Sequence, residues 1–119
     1  MAHFRQGQIV LVPHAPFSDQ IGTKARPALI ISGDGFNAAH TDVICVAISS
    51  RVDRDDAYRV DVVRDGSVEF TKTGLQVTSS IKCWAIFAYQ ADLIQRELGQ
   101  LPPKLLKDTL AVLSGIFGF

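Results

Sequence analysis

The sequence predicts a small α+β domain in which five or six mainly antiparallel strands precede a C-terminal helix. Short β-branched apolar runs, separated by turn residues, fill most of the chain, and this pattern is typical of strands. The apolar spacing changes to a helical period only towards the C-terminus. The 119 residues also match the length of one domain and contain no linker or repeat. We therefore expect residues 1–119 to form a single domain.

Five segments carry strand patterns. The run at residues 8–12 is β-branched, and the runs at 27–32 and 42–48 are almost continuously apolar. Continuous apolar runs indicate strands that are covered on both faces. The segment 58–63 alternates apolar and charged residues, which is typical of a strand with one solvent-exposed face. The segment 81–89 is a further candidate strand. The glycines around Asp34 predict a turn between the second and third strands.

Two helices are predicted near the C-terminus. Residues 91–98 have the pattern of a short helix that Gly99 would end. Two prolines at 102 and 103 open the last helix, since the first helical position tolerates proline. Its apolar stripe consists of Leu106, Leu110, Leu113 and Phe117. So broad an apolar face must pack on the sheet, on a partner, or on both.

Composition and charge exclude several classes of protein. Hydrophobic residues make up 47% and charged residues 20%, which is ordinary for a folded domain. No apolar run reaches the ~20 residues of a membrane span, and residues 1–8 lack a signal-peptide core, so a cytoplasmic location is expected. Twelve basic residues balance twelve acidic ones. This balance disfavours binding along a nucleic-acid duplex but allows a small, focused cationic site.

The usual signatures of cofactor and metal chemistry are absent. The chain has no glycine-rich nucleotide loop, no H-E-x-x-H, no paired C-x-x-C and no G-x-S-x-G. Cys45 and Cys83 lie singly inside apolar runs, which predicts small core residues rather than a zinc site or a disulfide. No cofactor and no metal are expected.

Polar side chains follow or precede two of the predicted strands. Arg26 directly precedes the second strand, and Ser49, Ser50 and Arg51 directly follow the third. If these strands are neighbours, an arginine and a hydroxyl face a common space. The planar guanidinium binds two phosphate oxygens at once, so this pair suits phosphate chemistry. The alternative for Ser49 is a hydroxyl that ends the strand by bonding nearby backbone.

The segment 14–26 is an irregular connection that carries further candidates. Connections of this length without periodicity are commonly functional. His14 and Asp19 are its possible proton-transfer groups, although each is also an ordinary loop residue. Stacking on an aromatic ring is a further possibility at Phe17, Tyr58 and Phe70, of which Phe70 also suits the core.

Three parts of the chain together resemble the PemK/MazF family of toxin endoribonucleases. They are Gly7-Gln8-Ile9-Val10-Leu11-Val12, then Phe17-Ser18-Asp19, then Lys24-Ala25-Arg26-Pro27-Ala28-Leu29-Ile30-Ile31-Ser32. The similarity continues through Val43 to Ser49, through Gly74-Leu75, and through Ser79 and Lys82 to the closing helix. It covers nearly the whole chain.

The resemblance implies roles for individual residues. Arg26 matches the active-site arginine of the family, and Ser49 matches its active-site threonine or serine. Asp19 falls where many members have an acid, and Lys82 where a basic residue lines the RNA groove. The acid that some members carry before that residue is replaced here by Ser79 and Ser80, which leaves the general base open between Asp19 and His14. Contacts with RNA are expected from Phe17, Lys24, Ser50, Arg51, Ser79 and Lys82.

The resemblance also implies an SH3-like β-barrel with a C-terminal helix, a homodimer and a cognate antitoxin. The implied activity is metal-independent cleavage of single-stranded mRNA by the RNA's own 2′-hydroxyl, which leaves 2′,3′-cyclic phosphate and 5′-hydroxyl ends.

Two alternatives stay open. Toxins of the same fold that bind gyrase use C-terminal aromatic and apolar residues, and this chain ends in Gly115-Ile116-Phe117-Gly118-Phe119. A catalytically degenerate member that only binds an antitoxin or RNA would account for the missing acid near Lys82.

Overall fold

Six strands and three α-helices make up the described chain, which comprises residues 3–13, 24–52 and 55–119 of a computed structural model. The strands are β1 (Gln8–Val12), β2 (Arg26–Ile30), β3 (Asp42–Ser49), β4 (Arg59–Val62), β5 (Ser79–Gln90) and β6 (Arg96–Gln100). The helices are α1 (Asp34–Ala39), α2 (Val68–Lys72) and α3 (Pro103–Phe117), with a 3₁₀ turn at Ala91–Leu93. The turn predicted around Asp34 is therefore the start of a short helix.

All six strands belong to one antiparallel sheet with the order β4-β5-β3-β2-β1-β6. Between the pairs Val46↔Ile86 and Ala47↔Lys82, β5 contains three residues that β3 does not match. A bulge of this kind bends a strand and increases its twist. The sheet curls into a half-barrel with β4 and β6 as its edges, which confirms the predicted small antiparallel barrel with a C-terminal helix.

Both faces of the sheet are covered, as the continuous apolar runs predicted. Leu29 belongs to a cluster that also contains Leu113 of α3, whereas Ala28 and Ile30 belong to a second cluster on the opposite face. Cys45 lies in the second cluster and Cys83 in the first, both as buried free thiols. The prediction that they are small core residues is confirmed. Burial raises the pKa of Cys45 to about 12 and that of Cys83 to about 11.

The C-terminal helix begins where the two prolines predicted and packs its apolar stripe on the sheet. Leu113 is buried, and the half-buried side chains around it are Leu105, Leu106, Leu110, Val112 and Ile116. Phe117, the last member of the predicted stripe, is instead 57% exposed at the end of the helix. Gly118 ends the helix in the left-handed conformation, and Phe119 after it is also exposed. Among residues 3–13, 24–52 and 55–119, no helix combines the length and apolarity needed to cross a membrane.

The helix predicted at residues 91–98 is wrong. Only Ala91–Leu93 form a single 3₁₀ turn, and Arg96–Gln100 form the edge strand β6, which pairs with β1. The backbone N–H of Gln95 already donates to the carbonyl of Leu11 at 2.9 Å. Local helical preference is weak, and pairing with an open sheet edge outweighs it. Gly99 therefore lies inside a strand instead of ending a helix.

Gly74 and Gly99 bring β6 against the turn after α2. A Cβ on Gly99 would lie 2.1 Å from the carbonyl oxygen of Lys72, and one on Gly74 would lie 2.0 Å from that of Leu98. Gly74 also has a φ of +73°, in the left-handed region that favours glycine. Only glycine allows two backbones to approach this closely, and Gly74 and Leu98 form part of the pocket described next.

Candidate active site

Arg26 and Ser49 occupy facing positions on neighbouring strands. Strands β2 and β3 pair through Ala28↔Ala47, and the same register continued to the strand ends sets Arg26 opposite Ser49. On the far side of β3, Ser49 pairs with Ser80 of β5. Facing residues of antiparallel strands have their Cβ atoms about 5 Å apart and project from the same face. The arginine and the hydroxyl that the sequence selected are therefore brought together.

A pocket of about 580 Å³ opens at Arg26 and Ser49, and we call it the basic pocket. Its walls include all seven of the predicted catalytic and RNA-contacting residues that fall within the described chain: Lys24, Arg26, Ser49, Ser50, Arg51, Ser79 and Lys82. The remaining three predicted residues, His14, Phe17 and Asp19, lie outside the described residues.

Positive charge is concentrated in the basic pocket. Its lining contains five cationic side chains, namely Lys24, Arg26, Arg51, Lys82 and Arg96, while its described lining residues include no Asp, Glu or His. The whole chain has twelve basic and twelve acidic residues, so this is a local field on a neutral protein. Such an arrangement attracts a polyanion at one place without coating the surface with charge.

Arg96 is the cation that sequence reasoning missed. It begins β6 and pairs with Leu11 of β1, which also lines the basic pocket. The sequence predicts a helix for this segment, and no motif distinguishes Arg96 from other exposed arginines. Its place in the pocket depends on β6 pairing with β1, so only the assembled sheet could indicate it.

The hydroxyl groups of the site differ in what they already bind. Ser49 Oγ accepts the backbone N–H of Arg51 at 3.1 Å, so the prediction of a local bond that ends the strand is confirmed. This bond uses a lone pair of Oγ and leaves the hydroxyl hydrogen able to donate to a ligand oxygen. Ser79 Oγ, in contrast, donates to the carbonyl of Val77 at 2.9 Å. Ser80 is fully buried, and its Oγ has no partner among the described residues.

Apolar groups form the rest of the basic pocket. They come from the ends of β1 and β3, from β5, from β6 and from the turn after α2, and include Leu11, Ala47, Leu75, Val77, Phe87 and Leu98. A cavity lined by both cations and apolar groups suits a ligand that has both an anionic group and a flat apolar group. Of the predicted stacking residues, Tyr58 is exposed. Phe70 belongs to α2 and its side chain is buried in the core, so it is not available for stacking.

The described residues hold no group of three His, Cys, Asp or Glu side chains that converge as metal ligands would.

The family described as PemK-like, MazF-like toxins of type II toxin–antitoxin systems matches residues 5–117 of the chain. The chain belongs to this toxin family. The family that the sequence motifs indicated is thus confirmed over nearly the full length. No curated protein has a sequence significantly similar to this toxin.

Several solved structures share the fold of this toxin. MazF of Deinococcus radiodurans has a TM-score of 0.76 at 16% identity over 100% of both chains. An endoribonuclease from a mycobacterial species, in complex with its cognate antitoxin, has a TM-score of 0.73 at 18% identity over 100% of this chain and 97% of that one. Toxin MazF-mt6 of Mycobacterium tuberculosis has a TM-score of 0.73 at 20% identity, over 94% and 97%. Because the sequence identities are low, these comparisons establish a shared fold, and the family assignment rests on the family match.

Proposed function

We propose that this toxin is an endoribonuclease that cuts single-stranded RNA without a metal ion. The observation that carries the proposal is the register that sets Arg26 opposite Ser49 inside a pocket lined by five cations. Proteins of the same fold are named as endoribonucleases, and one was solved with its cognate antitoxin. The family membership and the chemistry of the pocket support the same activity.

The proposed reaction is an in-line attack by the RNA's 2′-hydroxyl on the adjacent phosphorus. The bond from O2′ to phosphorus forms while the bond from phosphorus to O5′ breaks, which yields a 2′,3′-cyclic phosphate and a 5′-hydroxyl. Negative charge builds on the non-bridging oxygens during this step. The guanidinium of Arg26 donates two hydrogen bonds to them, and the hydroxyl of Ser49 donates a third.

Two protons must move in this reaction. A base removes one from the 2′-hydroxyl, and an acid gives one to the departing 5′ oxygen. No carboxylate or imidazole belongs to the described lining of the basic pocket, so the candidates remain Asp19 and His14 from the sequence. The acid limb of a pH–rate profile separates them, because histidine ordinarily titrates near ~6.5 and aspartate near ~4.

Single-stranded RNA fits this toxin better than a duplex does. A neutral chain cannot neutralise a long run of phosphates, but Lys24, Arg51, Lys82 and Arg96 can hold the phosphates next to the cut. The apolar lining residues are suited to an unpaired base, whose flat faces are accessible only in a single strand. Ser50 and Ser79 complete the polar rim, and Phe17 is the proposed stacking residue of the first loop.

Family membership supports two partners. We propose a cognate antitoxin that blocks the basic pocket with an extended segment, since five cations attract acidic side chains as well as phosphates. We also propose that the toxin forms a homodimer and acts in the cytoplasm, where mRNA is found.

The test is to incubate the purified toxin with a long single-stranded RNA in EDTA and to identify the ends of the products. Cuts at defined sites with cyclic-phosphate ends are expected from the natural toxin, and Arg26→Ala should abolish them while the protein stays folded. Arg5→Ala, an exposed arginine outside the basic pocket, is the matched control and should cut normally.

Intact RNA in the presence of folded, antitoxin-free protein would contradict the proposal. The two alternatives would then apply, a gyrase-binding toxin or a degenerate member. The first has one structural feature in its favour, since Phe117 and Phe119 are exposed and stack on each other with ring centres 5.7 Å apart.

A further inference from the structure

Trp84 is the single tryptophan of the chain, and its side chain is 43% exposed. It lies in the bulged part of β5, next to Cys83, whose side chain is in the core. Because side chains alternate along a strand, Trp84 projects from the other face. The guanidinium carbon of Arg59 sits 5.2 Å from the centre of its ring, within the range of a cation–π contact. An exposed aromatic ring is thus in contact with a positively charged group.

Arg59 is held in place by the backbone around it. Its Nη1 donates to the carbonyl of Arg51 at 3.1 Å, and the residue pairs with Lys82 across β4 and β5. Its Nε is buried and has no hydrogen-bond partner among the described residues. The bond to Arg51 and the strand pairing therefore hold the guanidinium over the ring before any ligand arrives.

The Trp84–Arg59 pair adjoins the basic pocket. Arg51 and Lys82, which contact or pair with Arg59, both line that pocket. Trp84 follows Lys82 by two residues, and Arg59, which pairs with Lys82, carries the guanidinium that lies over the Trp84 ring. A chain of nucleotides that leaves the pocket past Lys82 would therefore reach this aromatic ring next.

We propose that Trp84 and Arg59 form a stacking platform for one unpaired nucleobase of the RNA, outside the residues that cut it. The inference rests on the proposed RNA cleavage and adds a second binding position to it. An RNA strand satisfies both parts of the pair, because a base stacks on the aromatic and guanidinium planes and the neighbouring phosphate is attracted by the positive charge of Arg59. The adjoining pocket carries the same positive charge, which favours a continuous polyanion on this face.

The experiment uses Trp84 as its own reporter. A 2′-O-methyl dodecanucleotide of mixed sequence lacks the attacking hydroxyl and stays intact, so binding is measured at equilibrium. Tryptophan fluorescence and the anisotropy of a dye on the oligonucleotide are followed in one titration. We expect quenching of Trp84 that saturates at the same concentration as the anisotropy. Trp84→Leu should weaken binding about tenfold, whereas Trp84→Phe retains most of it because stacking is preserved.

Phe36→Leu is the matched control. Phe36 is 41% exposed and stacks on His40 with ring centres 4.7 Å apart, yet it belongs to α1 and does not line the basic pocket. Its replacement should leave binding unchanged. Circular dichroism of each variant confirms that the fold is retained, and if Trp84→Leu does not fold, the fluorescence titration of the natural protein still tests the platform.

Three results would overturn the platform. The first is binding by anisotropy without any change in Trp84 fluorescence, and the second is equal affinity for Trp84→Leu and the natural protein. The third is quenching of Trp84 by an antitoxin peptide but not by the oligonucleotide, which would make the pair a protein-binding surface. None of these three results would contradict the proposed function, because the natural toxin could still cleave RNA. If the toxin neither binds nor cuts RNA, both the platform and the proposed function fail.

Discussion

Ser49 of β3 and Ser80 of β5 face each other across the sheet, but only Ser49 belongs to the lining of the basic pocket. Ser49 is half-buried and its hydroxyl is already positioned by the N–H of Arg51. Ser80 is fully buried and its hydroxyl has no partner among the described residues. The hydroxyl of Ser49 is therefore satisfied, whereas that of Ser80 lowers the free energy of unfolding, because a buried polar group without a hydrogen bond destabilises the fold.

Ser80→Ala should make the toxin more stable. The substitution removes a buried hydroxyl that makes no hydrogen bond, and it leaves no polar partner unsatisfied. We expect the free energy of unfolding to rise by roughly 1 kcal/mol, measured by urea denaturation. A loss of stability would mean that the hydroxyl is hydrogen-bonded in solution.

Thr73→Val should have the opposite effect on stability. Thr73 is also fully buried, but its Oγ1 donates to Phe70 O at 2.6 Å and accepts Leu75 N–H at 3.1 Å. Valine has the same shape and loses both bonds, so we expect about 1–2 kcal/mol less free energy of unfolding in the same urea titration. Equal stability of the variant and the natural toxin would contradict this.

Ser49→Ala should slow RNA cleavage about a hundredfold, the usual effect of removing one donor to a developing negative charge. Ser49→Thr keeps the hydroxyl and should remain within a few-fold of the natural rate. A fluorogenic single-stranded RNA measures both variants. Ser50→Ala, the next residue along the chain, is the control and should lose less than tenfold. Undiminished cleavage by Ser49→Ala would remove Ser49 from the proposed mechanism.

Lys82→Gln and Arg96→Gln should each make RNA binding less sensitive to salt. A cation that contacts a phosphate of single-stranded RNA contributes about 0.7 to the slope of log affinity against log salt concentration. We expect each variant to reduce the slope by that amount. Lys104→Gln, an exposed lysine of α3 outside the basic pocket, should leave the slope unchanged. An unaltered slope for Arg96→Gln would mean that this arginine lies beside the RNA without holding it.

Gly99→Ala should destabilise the toxin by at least about 3 kcal/mol, because the new Cβ would lie 2.1 Å from a backbone oxygen. Gly35→Ala in α1 is the contrasting variant. A Cβ there meets nothing within 4 Å, and replacing a helical glycine by alanine gains roughly 0.5–1 kcal/mol. Thermal denaturation of the two variants should therefore shift in opposite directions.

The two thiols should be unreactive in the folded toxin and should make it sensitive to alkali. Burial raises the pKa of Cys83 to about 11 and that of Cys45 to about 12, from an ordinary 9.0. At pH 8 roughly one Cys83 thiol in a thousand is ionised, so iodoacetamide should modify both cysteines only after unfolding.

The direction of the pH effect on stability follows from the same shifts. Raised pKa values in the folded state give stability that is complete below pH 9 and is lost as the pH rises towards 11, because only the unfolded chain releases these protons. The double variant Cys45→Ala/Cys83→Ala should show a shallower loss over this range in urea denaturation. An identical loss would assign the alkaline effect to other groups.

Sequence reasoning succeeded where local pattern and tertiary environment agree. The apolar runs around Leu29 and Val46 predicted strands covered on both faces, and each strand divides its side chains between two core clusters. It failed for residues 91–98, where a helical pattern yields to pairing between β6 and β1. It also left Phe70 open between core and surface, and the structure decides for the core, because α2 directs this side chain into the first core cluster.

The amino-acid sequence by itself determined the family, the order of strands β1 to β5 and the C-terminal helix along the chain, and the choice of Arg26 and Ser49. These depend on residue types and spacing within short segments, which propensity and periodicity express directly. The tertiary structure decided which residues face each other: Arg26 opposite Ser49, Arg96 in the basic pocket, and Arg59 over Trp84. Register and curl arise from hydrogen bonds between distant segments and from a bulge in β5, and no local pattern encodes those distances.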